Sequence, residues 1–555
     1  MTQHTVHLPF TLFVATLSMS FPGAAATFYI DNSGSPTCNN SPSNGSESNP
    51  WCTLNYAVGR VTAGDIVYVK NGTYREQVLI SGKNGGPNFL TFQSYPGHTP
   101  ILTGSGVHTG RHKIIDCSYI KFIGFAITDI QQGLFVETSD HIVLQRLHIY
   151  KVGQEAVHIK NNSSYVTLQD SLIHDTRAWQ YNGEGVYIGT SGSSQPSSPP
   201  YDNTNNILVK GNTIYNTYDE CIEAKEGTYA VTLDGNLVYN CLLDPDITDR
   251  SWGSIDVMER EDFYGQNPNH VVKNNIIVTT KTAIGMHTGG AVVNNIIYGQ
   301  TGSYRGISID NRDDDNYTRY IYHNTIDLPS SRAVVVSDAA ADIRNNIGPG
   351  TTGNIATASS FYVNQAAADY HLASGSAPVN AGADLTSVVP VDRDGRGRSA
   401  NPPPDLGAYE FAAGSGTDST PPSTPTSLSA TAVSSSVITL AWTASTDSVG
   451  VTGYMIHRSA GRPLRRRGED SDALQRVRQI GTSSTNAYVD SGVSAATQYT
   501  YVVAAYDAAG NVSGRSAPAR ATAPAASGAI AAASCAADSS GSRTQSTARR
   551  AASSR

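Results

Sequence analysis

Glu223 and Lys225 stand two residues apart in DECIEAKEGT (219–228), with Asp219 and Glu220 just ahead of them, and Asp256 follows in SWGSIDVM (251–258). An amine set among carboxylates is equipment for proton transfer. A lysine with a lowered pKa can take a proton, and acids in close company must share either a proton or a cation. If Glu223 and Asp256 hold equivalent positions on neighbouring coils, they stand about 4.8 Å apart, where two ionised carboxylates repel. Asp219, Glu220, Glu223 and Asp256 together form an all-oxygen set of the kind Ca²⁺ uses, since it takes about 6–8 oxygen ligands. Lys225, Glu223 and Asp256 are therefore the candidate catalytic residues. Nearby acids raise the Lys225 pKa, and a bound cation would reverse that balance.

These residues need strands in register, and the sequence supplies them. The segments LFVE (134–137), VHIK (157–160), VYIG (186–189), IEAK (222–225), IDVM (255–258), IGMH (284–287), ISID (307–310) and VVVS (334–337) all carry apolar or small residues at their first and third positions. That alternation turns one face into a core and the other outward. One outward column reads Phe135, His158, Tyr187, Glu223, Asp256, Gly285, Ser308, Val335. The other reads Glu137, Lys160, Gly189, Lys225, Met258, His287, Asp310, Ser337. His158, Tyr187 and His287 fall beside the acids and are candidate substrate contacts. Arg250 and Arg260 are candidates for holding a substrate carboxylate, as is Arg305.

A second set of β-rich runs precedes these strands. IKFIGFAI, IVLQRLHI and VTLQDSLI begin at Ile120, Ile142 and Val166, and ILVKGNTI and VTLDGNLV begin at Ile207 and Val231. A repeat of about 22–24 residues with β-branched strands indicates a β-solenoid. Later runs such as VVKNNIIV and AVVNNIIY put Asn at the turn. Asn tolerates left-handed backbone, and its amide can bond the Asn of the next coil.

Residues 28–103 read as an N-terminal cap, the coil ends near Tyr362, and ADYHLASGSAPVNAGADL, DRDGRGRS and DLGAYEF read as a closing cap ending at residue 411. A linker (412–426) leads to VITLAW, GYMIHRS, AYVDSG and TYVVAAYD, spaced for a β-sandwich over 427–524. With Trp442 as core and Tyr499 as a corner residue, this part resembles a fibronectin type III module, interrupted by a charged insertion at 462–478. The tail 525–555 is Ala/Ser/Arg-rich and expected to be disordered. The fold class is thus all-β, a right-handed parallel β-helix followed by a β-sandwich.

Residues 1–26 have the apolar run and small-residue end of a secretory signal, so an extracellular location is expected. No other run approaches the roughly 20 apolar residues of a membrane span. With 15% charged residues and a net charge of −8, no basic patch dominates and nucleic acid is excluded as a partner. Of six cysteines, Cys38 and Cys52 flank a loop that oxidation could staple, and Cys221 and Cys241 could be stacked thiols or a bridge. A monomer is expected.

The solenoid resembles secreted right-handed β-helix proteins related to polysaccharide lyases, through DECIEAKEGT, SWGSIDVM and the closing DRDGRGR…DLGAYEF, across residues 28–411. The resemblance implies an acidic polysaccharide as partner and a Lys base paired with a calcium site. A uronate polymer would then be cleaved by removal of the C5 proton and expulsion of the 4-linked sugar. Two other functions fit the same residues. A glycoside hydrolase would use Glu223 with Asp256, or Glu184 with Glu223, as its acid pair. A carbohydrate-binding or adhesive surface protein would need no chemistry at all.

Overall fold

The computed structural model describes residues 25–524 apart from short stretches, the longest being 195–201, 246–251, 259–267, 311–316, 412–419 and 461–477. Arg250, Arg260, the leader, the charged insertion and the C-terminal tail lie outside the described residues. The repeats wind into three parallel sheets, one of twelve strands and two of ten. Ile120, Ile142 and Val166 are Cα partners in consecutive coils, as are Ile207 and Val231. Their side chains are buried, and each contributes roughly 1.5–3 kcal/mol through burial.

The segment expected to be an N-terminal cap already winds. Thr27–Ile30, Ile66–Val69 and Leu90–Ser94 extend the twelve-stranded sheet, and Leu79–Ser81 and Thr73–Arg75 begin the other two. Its strands are short and its one helix, Leu54–Val58, sits between them, so the repeat is hard to recognise from spacing. Cys38 and Cys52 form a disulfide across the first loop, and a second joins Cys221 to Cys241. Cys117 is buried and reduced.

The turn asparagines divide their two expected roles between adjacent residues. Positive φ falls on the outer residue of each pair, at Gly211, Gly235, Asn274, Asn294, His323 and Asn345. The next residue makes the ladder. Asn212 donates to Asn236 Oδ1 at 3.0 Å, Asn236 to Asn275 at 3.0 Å, Asn275 to Asn295 at 3.0 Å, Asn295 to Asn324 at 3.0 Å and Asn324 to Asn346 at 2.9 Å. Each of these amides also donates to a main-chain carbonyl of the preceding coil, so no polar atom of the ladder is wasted in the core.

The outer asparagines belong to the closing segment. Asn294 donates to Val391 O at 3.0 Å and accepts from Arg398 at 2.9 Å. Arg393 donates to Asn274 O at 3.1 Å, and Asn345 exchanges two 2.8 Å bonds with Ala383. Glycine suffices at 211 and 235, where the turn needs only positive φ. Asparagine stands at 294 and 345, where its side chain also meets residues 383–398, and at 274, where its amide donates to Asp234 Oδ1 at 2.7 Å. Asp392 organises that segment by accepting from the main-chain N–H groups of Asp394, Arg396 and Glu410.

Beyond it, Thr426–Ser434, Val437–Thr443 and Ala487–Asp490 form one antiparallel sheet, and Arg478–Ser483, Val451–Ala460, Gln498–Asp507 and Ala519–Thr522 form another. Trp442 is in the core, edge-on to Tyr454 at 5.1 Å. Tyr499 is buried beneath the Arg458 guanidinium, while Tyr501 donates its hydroxyl proton to Asp490 at 2.7 Å.

The ladder sets a stability test. Asn275→Ala removes two donors and leaves the Asn236 main-chain N–H and side-chain amide, both now bonded to Asn275 Oδ1, without an acceptor. Each orphaned buried group costs about 1–3 kcal/mol. Urea denaturation should show a loss of at least about 3 kcal/mol; a loss below about 1 kcal/mol would mean the ladder is incidental.

Candidate active site

The strands read from alternation form one of the ten-stranded sheets, in the expected register. Phe135 pairs with His158, His158 with Tyr187, Tyr187 with Glu223, and Glu223 with Asp256. A cleft of about 460 Å³ lies over this sheet, within the size range of small-ligand sites. His158, Tyr187, Asp219, Glu220, Glu223 and Lys225 all line it, together with Arg111, Glu155, Lys160, Glu184 and Trp252.

The acid group differs from the expected one. Carboxylate oxygens of Glu184, Glu220 and Glu223 lie within 4.8 Å of one another, and all three side chains are buried. Glu184 enters this set where Asp219 and Asp256 were expected. Glu155, Glu184 and Glu220 each precede their strand by two residues, in EAVHIK, EGVYIG and ECIEAK. Strict alternation would aim these positions inward, but the turn before each strand breaks the parity and brings them into the cleft. The recurrence of Glu at one offset in three successive coils was the available signal. Glu155 is satisfied by Gln132 and Asn182, each at 2.9 Å, and Glu184 accepts from the Gly183 N–H at 3.0 Å.

Burial pushes the Glu184 and Glu220 carboxyls far above the usual carboxylate range, and the Glu223 charge adds to the effect on both. Burial also raises Glu223, while Lys225 pulls it down. Asp219 is raised to about 7 by burial, with Asp244 and Glu223 adding to it. The outer oxygens of Glu223 and Asp219 are buried without a hydrogen-bond partner among the described residues. Every donor of the set is oxygen, the ligand type that Ca²⁺ takes.

Lys225 donates to Glu223, and its ammonium stands 5.3 Å over the Tyr187 ring. Burial would lower its pKa, but Glu223, Tyr187 and Glu220 outweigh that and raise it well above the ordinary value. Lys225 is therefore charged while those acids are uncompensated. His158 donates Nε2–H to Gly189 O at 2.9 Å and packs edge-on between Phe135 and Tyr187. Burial and Lys160 depress its pKa to about 3, so it is neutral.

Three expected candidates are absent from the cleft lining, although the Asp256 charge still acts on Glu220 and Glu223. Asp256 does not line the cleft; its Oδ1 accepts from the Gly253 N–H at 3.0 Å and faces His287 Nε2 at 3.2 Å. The His287 side chain, expected to touch substrate, is fully buried and held between Asp256 and Asp310. Two carboxylates on either side of one imidazole capture it from the surface. Arg305 donates to Ser308 at 2.8 Å and is likewise absent from the cleft wall.

His287 yields a pH prediction. Burial alone would lower its pKa, but Asp256 and Asp310 raise it to about 9. A folded pKa above the unfolded value of about 6.5 gives stability that is complete below about pH 6.5 and lost as pH rises through about 9. His371, between Asp369 and Asp394, is raised to about 9 as well, so the native protein keeps part of the slope when His287 is replaced. Urea midpoints measured from pH 6 to 10 should fall less steeply for His287→Gln than for the unaltered chain. Parallel curves would show that His287 is not charged in the fold.

Comparison with known proteins agrees with this architecture. The model of a Pel9A-like right-handed β-helix region matches residues 34–185, that of a right-handed β-helix region matches 113–326, and the fibronectin type III model matches 423–522. Among curated proteins, an α-amylase of Niallia circulans is 44% identical over 108 residues, 20% of this chain and 7% of the amylase. Exoglucanase B of Cellulomonas fimi is 42% identical over 100 residues, 18% of this chain and 8% of the exoglucanase. The chain thus spans less than a tenth of these relatives. An uncharacterised Bacillus subtilis protein, YwoF, is 27% identical over 143 residues, 23% of this chain and 29% of its own. Among solved structures, an alginate lyase from a Paenibacillus species superposes with a TM-score of 0.43 at 16% identity, over 60% of this chain and 99% of the lyase. Pectate lyase Pel9A does so with 0.43 at 18% identity, over 70% and 96%. From its own sheets and the family models, the chain is a right-handed parallel β-helix protein carrying a C-terminal fibronectin type III domain.

Proposed function

We propose that this chain is an exported polysaccharide lyase-like enzyme that cleaves a uronic-acid-containing polysaccharide by β-elimination. The observation that carries the reading is one lysine, Lys225, hydrogen-bonded to a carboxylate of a buried three-glutamate cluster and lining an open cleft. Elimination needs the substrate carboxylate neutralised and the C5 proton removed by a nearby base. Glu184, Glu220 and Glu223, with Asp219 beside them, would hold Ca²⁺. Bound there, Ca²⁺ would neutralise the uronate carboxylate and steady the negative charge that develops at C5.

The chain's own groups do the rest. Lys225 Nζ takes the C5 proton, and Glu223 and the Tyr187 ring fix where that nitrogen points. With the acids compensated, burial acts on Lys225 against Tyr187 alone, and it lowers the pKa toward the range a base needs. His158, neutral and fixed by its Nε2–H bond to Gly189 O, gives the cleft wall an uncharged polar ring beside Tyr187. Export is supported by the apolar leader at 1–26 and by two disulfides, which persist in oxidising compartments.

One observation favours a second reading. Oxygens of Glu184 and Glu223 lie within 4.8 Å, close to the roughly 5–5.5 Å carboxyl spacing of retaining glycosidases. Glu184, with its raised pKa, would then be the acid and Glu223 the nucleophile.

The test is a panel of polygalacturonate, alginate, chondroitin and a neutral plant polymer, followed by ultraviolet absorbance and by reducing ends. Elimination should give absorbing products, with loss of activity on chelation and its return with Ca²⁺. Lys225→Ala should lower the rate about 10²–10⁴-fold. Reducing ends without absorbance, in a protein indifferent to Lys225→Ala but silenced by Glu184→Gln, would replace elimination with hydrolysis.

A further inference from the structure

The cleft is charged with opposite sign at its two ends. Glu184, Glu220 and Glu223 occupy one end. Arg111 opens the strand Arg111–Ile115, four strands away from Ile222–Ala224 in the same sheet, and Lys160 ends the strand Val157–Lys160, two away. At the spacing of parallel strands these cations lie about 19 Å and about 10 Å from the acid end along the coil axis.

Both cations are fixed by one ring. The Arg111 guanidinium stands 4.6 Å from the Phe135 centroid and the Lys160 ammonium 5.2 Å from it. Cation–π contact holds their direction without consuming their N–H donors. Carboxylates nearby balance them only in part. Glu137 is shared, 3.0 Å from Lys113 and 3.9 Å from Lys160, and Glu155, whose oxygens accept from Gln132 and Asn182, pulls on Lys160 without a direct ion pair. Arg111 pairs with no carboxylate among the described residues. Burial lowers the Lys160 pKa, and Arg111 adds to the lowering against the pull of Glu137. An anion between the two cations would relieve that repulsion.

We propose that Arg111 and Lys160 form a second, anion-binding subsite for an acidic sugar of the same polymer, two to four coils from Lys225. The substrate class rests on the polysaccharide reading above. The guanidinium fork suits an oxyanion gripped through two parallel N–H bonds, which a carboxylate or a sulfate ester both present. A cleft with a basic seat at one end and an acid cluster at the other gives the polymer one direction. It selects chains that are acidic at several successive residues over chains with a single acidic sugar.

The full chain is titrated with polygalacturonate, alginate and chondroitin sulfate, and with carboxyl-reduced polygalacturonate as the neutral probe, at several salt concentrations. Arg111→Gln and Lys160→Gln should each weaken binding of an acidic polymer about tenfold or more and flatten its salt dependence, with the neutral probe unchanged. Lys160→Arg should restore binding, which a folding defect would not allow. Preference for the uronate polymers identifies a carboxylate seat, and preference for chondroitin sulfate a sulfate seat. Native affinity for every acidic polymer in both Gln variants overturns the subsite, as does equal loss of the neutral probe. The two proposals separate cleanly. Binding that depends on Arg111 without absorbing products leaves the subsite standing and removes elimination. Absorbing products with unchanged affinity and KM in both Gln variants do the reverse.

Discussion

In a parallel coil every residue lies about 4.8 Å from its equivalent in the next turn, so the chemistry of one position is multiplied along a column. For aliphatic groups the multiplication is favourable, and the inward columns of Ile, Val and Leu form one continuous core. For amides it is favourable too, since each Asn both donates and accepts, and the ladder from Asn212 to Asn346 uses both capacities. For carboxylates it is costly, because like charges at that distance repel. Glu155, Glu184 and Glu220 repeat one position through three coils. The first is quieted by two amides, and the next two are left with Glu223 as a concentrated negative site.

That concentration explains how one sheet face can carry different devices in sequence. Upstream coils place Arg111 and Phe135 on the cleft wall. The next coils place His158 with Lys160, and then Tyr187, there, with the imidazole neutral and the Tyr187 ring turned against Lys225. Downstream, Asp256, His287 and Asp310 form an acid–imidazole–acid run with the imidazole fully buried. The alternation of the strands is uniform, and what varies is the residue that each coil offers at the same two outward positions.

Much of this was legible in the sequence because period-2 alternation fixes the face of every strand residue. The two outward columns, the pairing of Glu223 with Asp256 and the neighbouring placement of His158 and Tyr187 follow from that rule alone. What escaped it lies just outside the strands. Glu155 and Glu184 sit in turns where alternation no longer predicts direction, so Glu184 was weighed as a hydrolase acid but not as a partner of Glu220. Burial was missed at His287, because alternation says that a side chain points outward but not that Asp256 and Asp310 will close over it. The choice between thiols and a bridge at Cys221 and Cys241 depends on the distance between two loops, which a spacing of one coil leaves open.

The closing segment also bears on how the chain is built. Arg393 and Arg398 reach back 119 and 104 residues to Asn274 and Asn294. Turn groups up to about residue 240 meet partners in adjacent coils, as Asn212 does in Asn236. Coils from Asn274 onward are left with unmet turn groups until residues 383–398 arrive, and closing so long a loop is entropically slow. Completing the turns from Asn274 onward therefore depends on the closing segment. A chain that stopped short of residue 398 would leave that end of the coil without its partners.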